Sequence, residues 1–114
     1  MDVISLTRDL LSFNNINPPG NEEAIARFAG KILEDNGFKT DYYLFAEGRL
    51  HLVAERGITG TNPPIILSGH FDTVPLGNKK WSIDPFEGNV RNGKIYGRGS
   101  SDMKSGVAAM ILYP

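Results

Sequence analysis

The chain contains no cysteine. That excludes a disulfide framework, a thiolate metal site and a cysteine nucleophile, so any metal must be held by histidine and carboxylates. No run approaches 18 apolar residues, which excludes a spanning helix. The first nine residues, Met1 to Asp9, carry acids where a secretory signal would be basic, and no long apolar stretch follows. A soluble, cytoplasmic protein without a membrane partner is the expectation. Excess charge of either sign is also missing, with 12 Lys and Arg against 13 Asp and Glu. A dedicated nucleic-acid binder normally shows a basic excess, so none is expected here. Glycine, by contrast, is plentiful: 13 of 114 residues, against a usual share of about 7%. Nine of these lie between Gly57 and Gly106, which predicts tight turns in the second half.

The length suits one domain. Residues 2–13 read as a helix capped by Asp2, with Val3, Leu6, Leu10 and Phe13 at helical spacing. The segment Asn14 to Gly20, with Pro18 and Pro19, must be a loop. A second helix is expected from Asn21, as N-cap, to Asn36. Glu22 and Glu23 fall in its first turn, Ile25, Phe28, Ala29, Ile32 and Leu33 on its apolar face, and Gly37 at its left-handed end. Phe38–Phe45 and Leu50–Glu55 read as strands joined by a turn at Glu47-Gly48, and residues 57–64 as a loop. The unbroken run Ile65-Ile66-Leu67 predicts a short strand covered on both faces. After an irregular stretch from Thr73 to Glu87, Val90–Tyr96 reads as a hairpin with an Asn92-Gly93 turn. A last helix is expected to open near Asp102, with Val107, Met110 and Ile111 on one face. In an α/β arrangement such a crossover helix leads to another parallel strand, and none follows Pro114.

Two segments carry chemistry. In Ser68-Gly69-His70-Phe71-Asp72-Thr73, residues i and i+2 of an extended chain point the same way, so His70 and Asp72 project together. A carboxylate beside an imidazole fixes its tautomer and raises its basicity, as metal-ligating histidines require. In Gly97-Arg98-Gly99-Ser100-Ser101-Asp102-Met103-Lys104, the glycines let the backbone turn sharply around Asp102. A single carboxylate can bridge two cations, and nitrogen and oxygen donors suit Zn²⁺, Co²⁺ or Mn²⁺. A phosphate-loop reading fails, because Asp102 stands where the third glycine belongs and would repel phosphate. No serine lies in a Gly-x-Ser-x-Gly turn. Each segment alone is modest evidence, since His-x-Asp arises by chance in many chains.

Four motifs in order are more specific: Asn17-Pro18-Pro19-Gly20-Asn21-Glu22, Gly69 to Pro75, Trp81 to Phe86, and Tyr96 to Lys104. Together they resemble the co-catalytic zinc amidohydrolase and peptidase family of acetylornithine deacetylase, succinyl-diaminopimelate desuccinylase, aminoacylase and carboxypeptidase G. The resemblance covers nearly the whole chain. It implies an α/β fold: the N-terminal part of a zinc-exopeptidase-like catalytic domain, helices packed on a mixed sheet, ending inside a crossover helix. It also implies that His70 ligates one zinc, that Asp102 bridges two, and that Asp72 belongs to the catalytic machinery by orienting His70 without touching metal. The Asp102-Met103 peptide is expected to be cis, as it often is in the family. The activity implied is cleavage of the amide bond of an N-acyl amino acid or small peptide by a water that two zinc ions activate, with Co or Mn as substitutes.

The family's general base is one of an adjacent Glu-Glu pair downstream of the bridging Asp. Here no Glu follows Glu87, and Asp102 is the last acid. A further carboxylate ligand and a C-terminal His ligand are missing too. So is the inserted lid domain through which many members dimerise, and a homodimer is expected only of a full-length protein. Residues 1–114 thus read as a partial catalytic domain, inactive alone. The other reading is a truncated, non-catalytic binding or interaction protein of the same fold. His51 reads as structural or solvated, and Arg98 and Lys104 each as a surface charge, a loop clamp or a contact to a substrate carboxylate.

Overall fold

The computed structural model describes residues 1–57 and 59–114. Ile58, within the loop expected over 57–64, lies outside the described residues. Helix α1 spans Val3–Leu11, and the Asp2 side chain accepts from the Ser5 amide at 2.8 Å, as its sequence predicts. Helix α2 spans Glu23–Asp35. It closes through Gly37, whose φ of 86° lets the Phe38 amide reach the Leu33 carbonyl and the Gly37 amide reach that of Glu34. Its start differs from expectation. Asn21 is not the cap; Glu22 holds that position without a side-chain cap bond, and the Glu23 amide donates to the Gly48 carbonyl at 3.1 Å. The neighbouring turn thus supplies the acceptor that an N-cap side chain would have provided.

Strands β1 (Lys39–Ala46) and β2 (Arg49–Glu55) form an antiparallel hairpin, with Tyr42 opposite Leu52 and an irregularity between Leu44 and Ala46. The hairpin lies against α2, where the Tyr42 hydroxyl occupies the space that the missing side chain of Gly30 leaves. Strands β3 (Asn89–Arg91) and β4 (Lys94–Tyr96) form the second hairpin, turning at Asn92 (φ 51°) and Gly93 (φ 73°). Two positive φ values suit the right-handed twist of the flanking strands. A parallel bridge ties Ile16 to Thr73.

Two expectations are corrected. Ile65-Ile66-Leu67 is not a covered strand. These residues are 89%, 83% and 52% exposed, and among the described residues no strand pairs with them. Leu50, Leu52 and Ala54 of β2 line a largely apolar cavity of about 420 Å³ together with Ile65 and Leu67, so the β2 edge is not in ladder contact. The helix expected near Asp102 begins later. Helix α3 spans Ser105–Leu112, and residues 100–104 form a wider turn in which Asp102 (φ −130°, ψ 92°) and Met103 (φ −139°, ψ 35°) leave helical geometry. The Asp102-Met103 peptide is cis, as expected.

The core joins all three helices: Leu6 and Leu10 of α1, Ile25, Ala29 and Leu33 of α2, and Val107, Ala108 and Ile111 of α3. At its edge lies Lys104, only 1% exposed. Its Nζ donates to the carbonyls of Leu10 (2.9 Å) and Phe13 (2.7 Å) and to Asn15 Oδ1 (2.9 Å). Burial pushes its pKa down to about 8, while three acceptors match the three protons of the ammonium. They include carbonyls at the C-terminal end of α1, where the helix dipole favours a cation. Lys104 is therefore a loop clamp, not a surface charge.

Replacing Lys104 by Met keeps the apolar stem and removes all three donors. Each buried acceptor left unpaired costs roughly 1–3 kcal/mol, so urea denaturation should show K104M destabilised by at least about 2 kcal/mol. At Gly37 a Cβ would meet only Arg56 Cδ, at 3.9 Å. Gly37→Ala should therefore cost only the left-handed backbone penalty of roughly 1–2 kcal/mol, read by the same titration.

Candidate active site

Three loops converge on His70. The first, residues 70–73, is anchored by the bridge to Ile16: the Asn17 amide donates to the Thr73 carbonyl (2.8 Å) and the Thr73 amide to the Asn15 carbonyl (2.9 Å). The second, Gly97–Lys104, passes close beside it. Gly99 adopts φ 88°, and a Cβ there would lie 2.6 Å from Thr73 Cγ2, so only glycine fits. The third is the loop between α1 and α2, and it supplies Asn15 and Asn17.

The structure brings the three sequence-predicted site residues together. His70 Nδ1 is 3.0 Å from the Asp72 carbonyl oxygen and 3.1 Å from Asp72 Oδ1. His70 Nε2 is 2.9 Å from Asp102 Oδ1. The Asp102 side chain is 83% exposed, that of Asp72 32%. The ring thus stands between two carboxylates on opposite sides. This is why, among the described residues, no group of three His or acidic residues closes around one point where an ion could sit.

The electrostatics follow from this placement. Burial pulls the His70 pKa down. The bonds to the Asp72 carbonyl and the Asp102 carboxylate, with both negative charges, outweigh it, and the net shift is upward from 6.5. Two acceptors face Nδ1 and one faces Nε2, which favours the proton on Nδ1 in the neutral ring. Nε2 then either carries a second proton or meets Asp102 Oδ1 lone pair to lone pair. A cation in place of that second proton resolves the conflict. An imidazole nitrogen with a carboxylate oxygen is a donor set suited to Zn²⁺, Co²⁺ or Mn²⁺. The residues present are of a type that fits a metal, which His70 and Asp102 would hold.

A cleft of about 290 Å³ opens over these groups, walled by Thr73, Val74 and Gly97–Asp102. The Arg98 guanidinium stacks on the Trp81 ring at 4.9 Å, and the Trp81 indole donates to the Leu76 carbonyl at 3.1 Å, which fastens the long loop to this wall. On the other side His70 and Asp72 border the larger apolar cavity, near a half-buried ion pair. There Arg49 donates to Glu22 from Nε (3.0 Å) and Nη2 (2.7 Å), and the Glu22 bond raises the Arg49 pKa. Glu22 is 5% exposed, so its role goes beyond charge at a helix start. His51 is exposed on β2, stacked on Phe45 at 4.5 Å and outside the site.

Sequence reasoning missed Asn17, whose Nδ2 donates to Asp72 Oδ2 at 3.0 Å, and left Lys104 undecided. Neither contact has a local signal, because the partners lie 55 and 89 to 94 residues away.

Residues 66–113 match the peptidase family M20/M25/M40. The chain is 41% identical over 112 residues to succinyl-diaminopimelate desuccinylase of Wolbachia pipientis subsp. Culex pipiens, covering 97% of this chain and 27% of that protein. It is 39% identical over 112 residues to the enzyme of the same name from Wolbachia pipientis wMel, again covering 97% and 27%. Against that of the Wolbachia of Brugia malayi it is 40% identical over 114 residues, covering 97% and 28%. The chain spans about a quarter of the length of these curated relatives. With His70, Asp72 and Asp102 assembled, the chain is similar to peptidase family M20/M25/M40 over residues 66–113, and over nearly all its length to about a quarter of these desuccinylases.

Proposed function

We propose that residues 1–114 are the metal-binding N-terminal part of a metal-dependent amidohydrolase, with His70 and Asp102 as metal ligands and Asp72 as the residue that orients His70. The observation that carries this reading is the line of contacts Asp72–His70–Asp102, with two Asp72 oxygens at Nδ1 and Nε2 turned to an exposed carboxylate. An outer carboxylate on a ligating imidazole is the arrangement metal sites commonly use. A bound metal supplies Lewis-acid polarisation of an amide carbonyl and a water of lowered pKa. The protein's own part is to offer acceptors to Nδ1, which leaves Nε2 as the nitrogen for a metal, to keep Asp102 in the open cleft, and to shield one flank of the site with the apolar wall. A full-length protein would hold two zinc ions here, with His70 and Asp102 among their ligands and Asp102 the residue that would be shared between them, and Co²⁺ or Mn²⁺ could substitute.

The names of the relatives support an N-acyl amino acid substrate, with succinyl-diaminopimelate the first to try. The proposal extends to a cytoplasmic location, to a homodimer for the full-length protein, and to residues 1–114 as one part of a catalytic domain whose remaining ligands and general base lie outside them. A His and an Asp leave a zinc site short of the three protein ligands that catalytic sites use. No acid beyond Asp102 is available to take the proton of a water.

Calorimetric titration with Zn²⁺ should therefore detect weak binding, lost in His70→Ala and unchanged in His51→Ala. Unaltered binding by H70A would overturn the assignment. Zinc displaces the Nε2 proton, so affinity should rise with pH. Because the His70 pKa is raised, the rise should continue above pH 6.5 instead of levelling there. The 114-residue chain should release no succinate from succinyl-diaminopimelate. Turnover by material of verified 12.5 kDa mass would contradict the missing base.

A further inference from the structure

The two carboxylate oxygens of Asp72 have different partners. Oδ1 lies 3.1 Å from His70 Nδ1, and Oδ2 accepts from Asn17 Nδ2 at 3.0 Å. A carboxylate anchored at one oxygen can swing about its χ angles. Anchored at both, it presents one fixed oxygen to the ring. The Asn17 backbone cannot drift, because its amide donates to Thr73 and the bridge at Ile16 fixes both flanks. A neutral amide is also the right donor: it orients the carboxylate without cancelling the negative charge that Asp72 exerts on His70. The amide orientation is unambiguous, because an ionised carboxylate only accepts.

We propose that Asn17 is a positioning residue of this site. It holds Asp72 Oδ2, keeps Oδ1 on His70 Nδ1, and so keeps Nε2 facing Asp102. The unbroken line Asn17–Asp72–His70–Asp102 carries the inference. Its consequence for metal affinity rests on the ligand assignment proposed above. The effect on the ring does not.

The test compares the ¹⁵N shifts of the His70 ring nitrogens at a fixed alkaline pH, where the ring is neutral, in the parent chain, Asn17→Ala, Asn17→Asp and Asp72→Ala, and in the N17A/D72A double variant. The parent should show the Nδ1-protonated tautomer in excess. N17A should move both shifts toward a mixture of tautomers. N17D, isosteric but facing Asp72 with a second charge, should do so at least as strongly, and it keeps the loop filled should the alanine variant fail to fold. Since Asn17 acts through Asp72, N17A should add nothing once Asp72 is alanine. Zn²⁺ affinity should fall roughly tenfold in N17A, the low end for loss of an outer partner. Unchanged His70 shifts in folded N17A and N17D would overturn the proposal, as would an N17A effect of equal size with and without Asp72. Tautomer shifts as expected in a parent that binds no zinc would instead overturn the ligand assignment and leave the role of Asn17 standing.

Discussion

The Lys104 ammonium fixes the loop that carries Asp102 to the end of α1. A buried cation is costly, and here three acceptors within 2.9 Å meet its three protons. One is the Leu10 carbonyl in the last turn of α1, which also accepts from the Phe13 amide at 3.3 Å, and another is the Phe13 carbonyl just past the helix end. One side chain thus binds the end of α1, seats Asn15, and sets where the chain must stand two residues after Asp102. Because Asn15 also accepts from Thr73, the same node reaches the His70 loop. Helix end, proline loop and both chemical segments are one connected polar structure at the rim of an apolar core.

Above that frame the site is a contest of charges. One imidazole stands between two carboxylates, and both raise its pKa against the effect of burial. Without a cation the ring answers by holding its proton. With one, the same geometry offers a nitrogen and an oxygen on the open side, while Asp72 and Asn17 stay behind the ring. The exposed carboxylate of Asp102 and the hydrogen-bonded one of Asp72 thus lie on opposite sides of the ring. This explains why the three groups do not form a closed cage: Asp72 faces the nitrogen that a metal would not use.

Much of this was legible in the sequence where short-range physics governs. Apolar residues at helical spacing gave α1 and α2. Gly37 gave the end of α2, and Asn92-Gly93 gave the second hairpin, because capping and turn geometry are settled within a few residues. His70 and Asp72 met as their spacing of two required. The start of α2 did not follow Asn21, since the Gly48 carbonyl, brought by the β1–β2 turn, took the donor. Ile65-Ile66-Leu67 has the composition of a buried strand, but burial depends on neighbours. Among the described residues, the β2 edge lines a cavity with Ile65 and Leu67 instead of pairing with them.

By itself the sequence determined which side chains are available for chemistry and which segments are helix or hairpin, because propensity, capping and periodicity are local and add up along the chain. It also determined that any metal held by these 114 residues must rely on histidine and carboxylates, there being no cysteine among them. Only the tertiary structure decided that Lys104 is a clamp and not a surface charge, that Glu22 pairs with Arg49, and that Asn17 braces Asp72. Each of these joins residues 27 or more positions apart. Such contacts depend on desolvation and on directions fixed by packing, and neither is encoded within a few residues of the group concerned.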